Sequence, residues 1–120
     1  MSETTEKITG AAIVTGAGRG IGRAIAVELA RHGYHILVDY AGNASAAGET
    51  VALCQAEGVD AFAVQADVSD EEAVKGLVKS ALERFGRIDV LINNAGITRD
   101  NLMLRMSAED FDLVIEKNLR

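Results

Sequence analysis

An α/β fold built on a doubly wound parallel sheet is predicted by three features of this 120-residue sequence. Strand-like apolar runs alternate four times with segments of helical periodicity. Those runs are continuously apolar rather than alternating, as strands are when both faces of a sheet are covered. A glycine closes each of the first three helical segments, at Gly33, Gly58 and Gly86, where a left-handed residue past a helix end is expected. Right-handed crossovers then distribute the helices over both faces.

The elements follow in order. Gly10 to Thr15 reads as a buried strand. Ile21, Ile25 and Leu29 recur every four residues in the helix behind it, and Ala24, Ala26 and Ala30 keep that helix slim enough to lie on a sheet. His35 to Tyr40 is a second strand and Ala44 to Glu57 a second helix. Ala61 to Ala66 makes a third strand. Ser69 or Asp70 can cap a third helix, and Glu71 and Glu72 suit its first turn. That helix presents Val74, Leu77, Val78, Ala81, Leu82 and Phe85 on one face. A fourth strand is expected at Ile88 to Ile92, then a loop or short turn over Met103 to Met106. A last helix is expected from Ser107 through Phe111, Val114, Ile115 and Leu119.

Composition bounds the function classes. Residues 1–120 read as one domain with a polar tail at 1–7, and 48% apolar content is enough for a core. A net charge of −6 argues against a general nucleic-acid binder, which needs a basic face. No apolar run reaches spanning length and the first seven residues are polar, so a cytoplasmic protein with no membrane partner is expected. The single cysteine, Cys54, excludes an internal disulfide or multi-cysteine metal site. It shares a helical register with Ala47, Thr50 and Val51 and reads as core. His32 and His35 have no ligand partner at helical spacing, so no metal is expected.

The chemistry lies in Thr15-Gly16-Ala17-Gly18-Arg19-Gly20-Ile21-Gly22, between the first strand and the first helix. A strand that turns through glycines into a helix lets backbone N–H groups approach a pyrophosphate at the helix start. The spacing is neither G-x-G-x-x-G, because position 21 is Ile, nor a P-loop, because no Gly-Lys pair occurs. It is T-G-x-x-x-G-x-G.

That pattern resembles the short-chain dehydrogenase/reductase family, and three further stretches fall where the family would have them: Asp67-Val68, Asn93-Asn94-Ala95-Gly96, and Asn118 in Lys117-Asn118-Leu119. The resemblance implies a Rossmann-type NAD(P)-binding sheet, cut off here after the fourth strand and the following helix. It implies cofactor contacts from Gly16, Gly18, Arg19, Gly20, Ile21, Gly22, Tyr40, Asp67, Val68, Asn94, Ala95 and Gly96. Asp67-Val68 would hold the adenine, and Asn118 would be the catalytic asparagine that holds a water on the proton relay. Within the family, Gly96-Ile97-Thr98-Arg99-Asp100-Asn101-Leu102 followed by Arg105-Met106 looks most like the 3-oxoacyl-(acyl-carrier-protein) reductases of fatty-acid synthesis.

NADP(H) is favoured over NAD(H). Arg19 sits where NADP-preferring members carry a basic residue that welcomes the 2′-phosphate, whereas the family's NAD-selecting acid aligns with Tyr40. Asp39, one residue earlier, is expected to point to the opposite face of its strand.

The implied reaction is hydride transfer to the ketone of a 3-oxoacyl thioester, with a proton delivered to the alkoxide. The family delivers it from a tyrosine followed four residues later by lysine, beside a serine. No Y-x-x-x-K occurs here, since Tyr34 is followed by Val38 and Tyr40 by Ala44. The expectation is therefore the cofactor-binding half of a longer reductase, inactive alone and exposing apolar surface. The parent is expected to be a homo-tetramer acting on acyl-carrier-protein; docking that acidic partner needs a local basic patch, and the sequence offers none beyond the candidates Arg99 and Arg105. Two alternatives stand beside this reading: a non-catalytic nucleotide-binding or interaction fragment, and a reductase for another carbonyl such as acetoacetyl-CoA or a sugar.

Overall fold

The computed structural model of the chain describes residues 10–94, and of residues 101–106 and 113–118 the backbone course. Its centre is a parallel sheet of β1 (Gly10–Val14), β2 (Tyr34–Tyr40), β3 (Ala61–Gln65) and β4 (Val90–Asn93). In space the order is β3-β2-β1-β4. Every residue of β1 is buried, as expected of a strand with a neighbour on each edge and a helix layer on each face. The register Val14↔Val38 and Val14↔Ile92 brings the carboxyl ends of β2 and β4 level with the end of β1.

Three helices cover this sheet: α1 (Gly20–Arg31), α2 (Ala44–Gln55) and α3 (Glu71–Phe85). Strand alternation sorts the core into two layers. Ala12, Val14, Ile36 and Val38 face α1 and α2, where they meet Ala26, Ala30, Ala47 and Cys54. Ile13 and Leu37 face the other way and pack with Leu77, Ala81, Ile88 and Leu91. The buried face of α1 differs from the expected one. Gly22, Ala26 and Ala30 line the sheet, Ile25 and Leu29 flank that stripe half-buried, and Ile21 is 70% exposed. Small residues win the central stripe because they let the helix approach the sheet closely.

Helix ends follow the expected chemistry. Asp70 caps α3 by accepting from the Glu72 N–H at 3.1 Å, and Asn43 caps α2 by accepting from the Ala46 N–H at 2.9 Å. Gly33, Gly58 and Gly86 all have positive φ. Cys54 is fully buried, as its register indicated.

Past β4 the structure departs from the expected loop and helix. Residues Asn101–Met106 form strand β5, antiparallel to β4, and Leu113–Asn118 form strand β6, antiparallel to β5. The expected helix from Ser107 is thus replaced over 113–118 by extended chain, while 107–112 lie outside the described residues. The physical reason is the open edge of β4, whose unpaired N–H and C=O groups template another strand. Leu113-Val114-Ile115 is a short aliphatic run with two β-branched residues, which periodicity alone does not separate from a helical face.

Candidate nucleotide site

At the carboxyl edge of the sheet, β1 runs one way to β2 and β3, and the chain then crosses back to β4. The crevice at such a switch point is where open α/β sheets take ligands. The turn that fills it spans Thr15 to Arg19, and its glycines have distinct reasons. Gly16 and Gly20 both have φ of 61°, a left-handed backbone that strains any side chain. Gly22 is there for space: a Cβ on it would overlap the carbonyl oxygen of Gly16 and stand 2.6 Å from Asn94 Nδ2. Gly18 is different, because a Cβ there would meet only Ala46 and Ala47 at an ordinary 3.7 Å.

Hydrogen bonds fix the turn from three sides. The Ala17 N–H donates to the Asp39 carbonyl at 3.0 Å, and the Thr15 N–H to the Ile92 carbonyl at 3.0 Å. Thr15 Oγ1 donates to Asn93 Oδ1 at 2.9 Å, and Asn94 Nδ2 donates to the Gly16 carbonyl at 3.1 Å. From the α2 side, Arg23 Nη2 and Thr50 Oγ1 donate to the Gly18 carbonyl at 2.7 and 3.2 Å.

What remains open is the start of α1. Its N-cap is Arg19, which supplies no capping side chain, and no acid lies in the first turn. The N–H groups of Gly20, Ile21 and Gly22 therefore lack intrahelical partners, at the positive end of the helix dipole. Arg19 and Gly20 are exposed beside them. A cradle of free N–H groups, a cation and no side-chain bulk binds phosphate or pyrophosphate.

The remaining expected site residues spread along the same edge. Tyr40 ends β2 half-buried against the α1/α2 layer. Asp67 is exposed in a turn in which its Oδ1 accepts from the Ser69 N–H at 3.0 Å and the Ser69 hydroxyl at 2.7 Å. Those bonds hold its carboxyl below the usual carboxylate range. Val68 is half-buried against the α3 layer. Ala95 and Gly96 lie outside the described residues, as does Arg99. Asn118 ends β6 opposite Asn101. It stands at the carboxyl edge but two strands from β4, about 10 Å across the sheet at ordinary strand spacing.

Two features at the site escaped sequence reading. The Arg23–Thr50 pair has no motif; its trace is a polar Thr50 in register with Ala47 and Cys54 on the buried face of α2. Asp39 is only 2% exposed, and its Oδ1 has no hydrogen-bond partner among the described residues. Burial pushes its carboxyl up to about 6, against the pull of the Gly16 and Ala66 N–H groups, and the charge of Asp67 adds to the rise. It stands on the α3 face with Leu37, opposite Tyr40. No group of three or more metal-ligating side chains occurs among the described residues, nor is any described helix long and apolar enough to cross a membrane.

Known proteins share both sequence and fold. The chain is 52% identical over 114 residues to the 3-oxoacyl-(acyl-carrier-protein) reductase FabG of Staphylococcus aureus, matching 95% of this chain and 46% of that protein. It is 53% identical over 108 residues to the 3-oxoacyl-(acyl-carrier-protein) reductase of Synechocystis, matching 90% of this chain and 44% of the relative. The chain thus spans about half the length of these curated relatives. Among solved structures, carveol dehydrogenase from Mycobacterium avium in complex with NAD superposes with a TM-score of 0.70 at 31% identity, over 75% of this chain and 37% of that one. Acetoin dehydrogenase from Enterobacter cloacae gives 0.69 at 34% identity, over 79% and 38%. The short chain dehydrogenase family profile matches residues 10–120, and with this glycine turn at the switch point of a parallel sheet the chain belongs to that family.

Proposed function

We propose that this chain forms the cofactor-binding portion of an NADP(H)-dependent 3-oxoacyl-(acyl-carrier-protein) reductase of fatty-acid synthesis. The observation that carries the substrate class is the 52% identity to a reductase of that name over 95% of the chain. The cradle fits the cofactor. Gly16, Gly20 and Gly22 bring backbone to the pyrophosphate with no Cβ in the way, and the open N–H groups of α1 take its charge. When bound, the nicotinamide supplies the hydride that reduces the ketone.

The protein's own residues bind and orient. In this reading Arg19, exposed and unpaired among the described residues, takes the 2′-phosphate. Asp67 and Val68 border the adenine, Tyr40 the ribose side, and Ile21 presents its exposed side chain to the cofactor. Asn94 holds the Gly16 carbonyl, and Ala95 and Gly96 continue that wall. Asn118 positions water for the proton relay, whose donor the family takes from a Y-x-x-x-K absent from this sequence. The acyl-carrier-protein carrying the 3-oxoacyl thioester is the partner, the assembly a homo-tetramer, and the setting the cytoplasm.

Titration of this chain with NADPH and NADH, followed by nucleotide fluorescence, tests the cofactor assignment. Tighter binding of NADPH, lost on Arg19→Ala while NADH binding persists, is expected. Equal losses for both nucleotides would sink the role of Arg19. The substrate assignment is tested in a protein that carries this chain together with the Y-x-x-x-K segment. NADPH oxidation with a 3-oxoacyl thioester is expected there, and reduction of other carbonyls in its place would redirect the assignment within the family.

A further inference from the structure

Arg23 is absent from every cofactor contact described above, yet its side chain grips the peptide that leads into the residue carrying the proposed specificity, and its backbone N–H holds the peptide that follows. Its guanidinium Nη2 donates to the Gly18 carbonyl at 2.7 Å, and its backbone N–H donates to the Arg19 carbonyl at 3.3 Å. These carbonyls belong to the two peptide units that flank Arg19. A trans peptide is planar, with its N–H antiparallel to its C=O. Pulling the Gly18 carbonyl toward α2 therefore turns the Arg19 N–H away from α2, and fixing the second carbonyl sets the direction of the Arg19 side chain.

The grip on Gly18 is itself buttressed. Arg23 Nε donates to Thr50 Oγ1 at 2.9 Å, and that hydroxyl donates in turn toward the Gly18 carbonyl at 3.2 Å. Nη2 also reaches the Ala46 carbonyl at 3.0 Å, and Glu49 at 3.1 Å balances the guanidinium charge. Thr50 is fully buried on a helix face otherwise made of Ala47 and Cys54. A buried hydroxyl costs free energy unless hydrogen-bonded, and here its partners are Arg23, the Gly18 carbonyl at 3.2 Å and, at a longer 3.4 Å, the Ala46 carbonyl of its own helix.

We propose that Arg23 and Thr50 are positioning residues for nucleotide choice: by clamping the Gly18–Arg19 peptide unit with their side chains, next to the backbone bond of α1 that holds the Arg19 carbonyl, they set where the Arg19 guanidinium meets the 2′-phosphate. This rests on the reading that the site takes NADP(H) through Arg19. Losing the clamp should harm the nucleotide that uses Arg19 more than the one that does not. A purely structural role would weaken both alike.

The test is the ratio of NADPH to NADH dissociation constants for the wild-type chain and for R19A, R23M, R23K, T50V and T50S, with circular dichroism confirming the fold. T50V and R23M are expected to weaken NADPH at least fivefold and NADH less than twofold. T50S should restore the wild-type ratio, and R23K, lacking the planar fork, should fall between. If R23M does not fold, T50V against T50S gives the same comparison. A raised ratio in R19A with an unchanged ratio in T50V and R23M overturns the clamp alone. An unchanged ratio in R19A overturns the assignment of Arg19, and the clamp's role in nucleotide choice with it.

Discussion

Asn94 donates from Nδ2 to the carbonyl of Gly16 at 3.1 Å, tying the end of β4 to the turn after β1. The two residues are 78 positions apart in sequence, so the turn takes its shape only once β4 has paired with β1. Replacing Asn94 by Ala removes the side-chain donor to the Gly16 carbonyl. A loss of about 1 kcal/mol is expected, or roughly fivefold in nucleotide affinity if the turn alone relaxes. NADPH titration and thermal melting of Asn94→Ala check both effects. Unchanged affinity would mean that the turn keeps its shape without the Asn94 bond, held by the Thr15 bonds to Ile92 and Asn93.

The glycines of the turn separate by mechanism. Gly22→Ala forces a methyl into the Gly16 carbonyl, so α1 must lift from the turn at an expected cost of about 1–3 kcal/mol. Gly20→Ala meets no atom but must hold a left-handed backbone, at about 1–2 kcal/mol. Gly18→Ala meets only ordinary protein contacts and should fold normally. Urea unfolding of the three variants gives the order, and Gly18→Ala as the most damaging would contradict the turn geometry.

Asp39 makes stability depend on pH with an unusual sign. Its folded-state carboxyl lies near 6, above the unfolded value of 3.8, chiefly because burial disfavours its charge. The folded chain therefore holds this proton more tightly than the unfolded chain. Its contribution to stability falls as pH rises from about 4 to about 6 and is fully lost above that. Asp39→Asn removes the penalty, so it should stabilise by about 3 kcal/mol at pH 7.5 and by only about 1 kcal/mol at pH 4.5. Denaturant titrations at the two pH values measure this, and an equal effect at both would remove Asp39 as the source.

Cys54 should be chemically silent in the folded chain. It is fully buried in the α1/α2 layer, and burial, helped by the nearby charge of Glu57, pushes its thiol up to about 11. The thiolate is the reactive form and is scarce at neutral pH. Iodoacetamide at pH 8 should alkylate it only in denaturant, as read by intact mass. Rapid labelling of the native protein would show that the layer opens.

Much of this molecule was legible in single segments. The four parallel strands, the three helices, the cap at Asp70 and the glycine stops all follow from local hydrophobic periodicity and backbone chemistry. The glycine turn was legible because left-handed φ and close approach each demand glycine at a set spacing. Tertiary structure decided what lies between segments. Whether β4's open edge meets a helix or a hairpin depends on which groups can satisfy its backbone, and Leu113-Val114-Ile115 suits either. Strand alternation alone places Asp39 opposite Tyr40, but only the packed layers leave its Oδ1 buried without a partner. The Arg23–Thr50 grip on Gly18 joins α1 to α2 across 27 positions, and no local pattern encodes a contact that exists only after both helices dock.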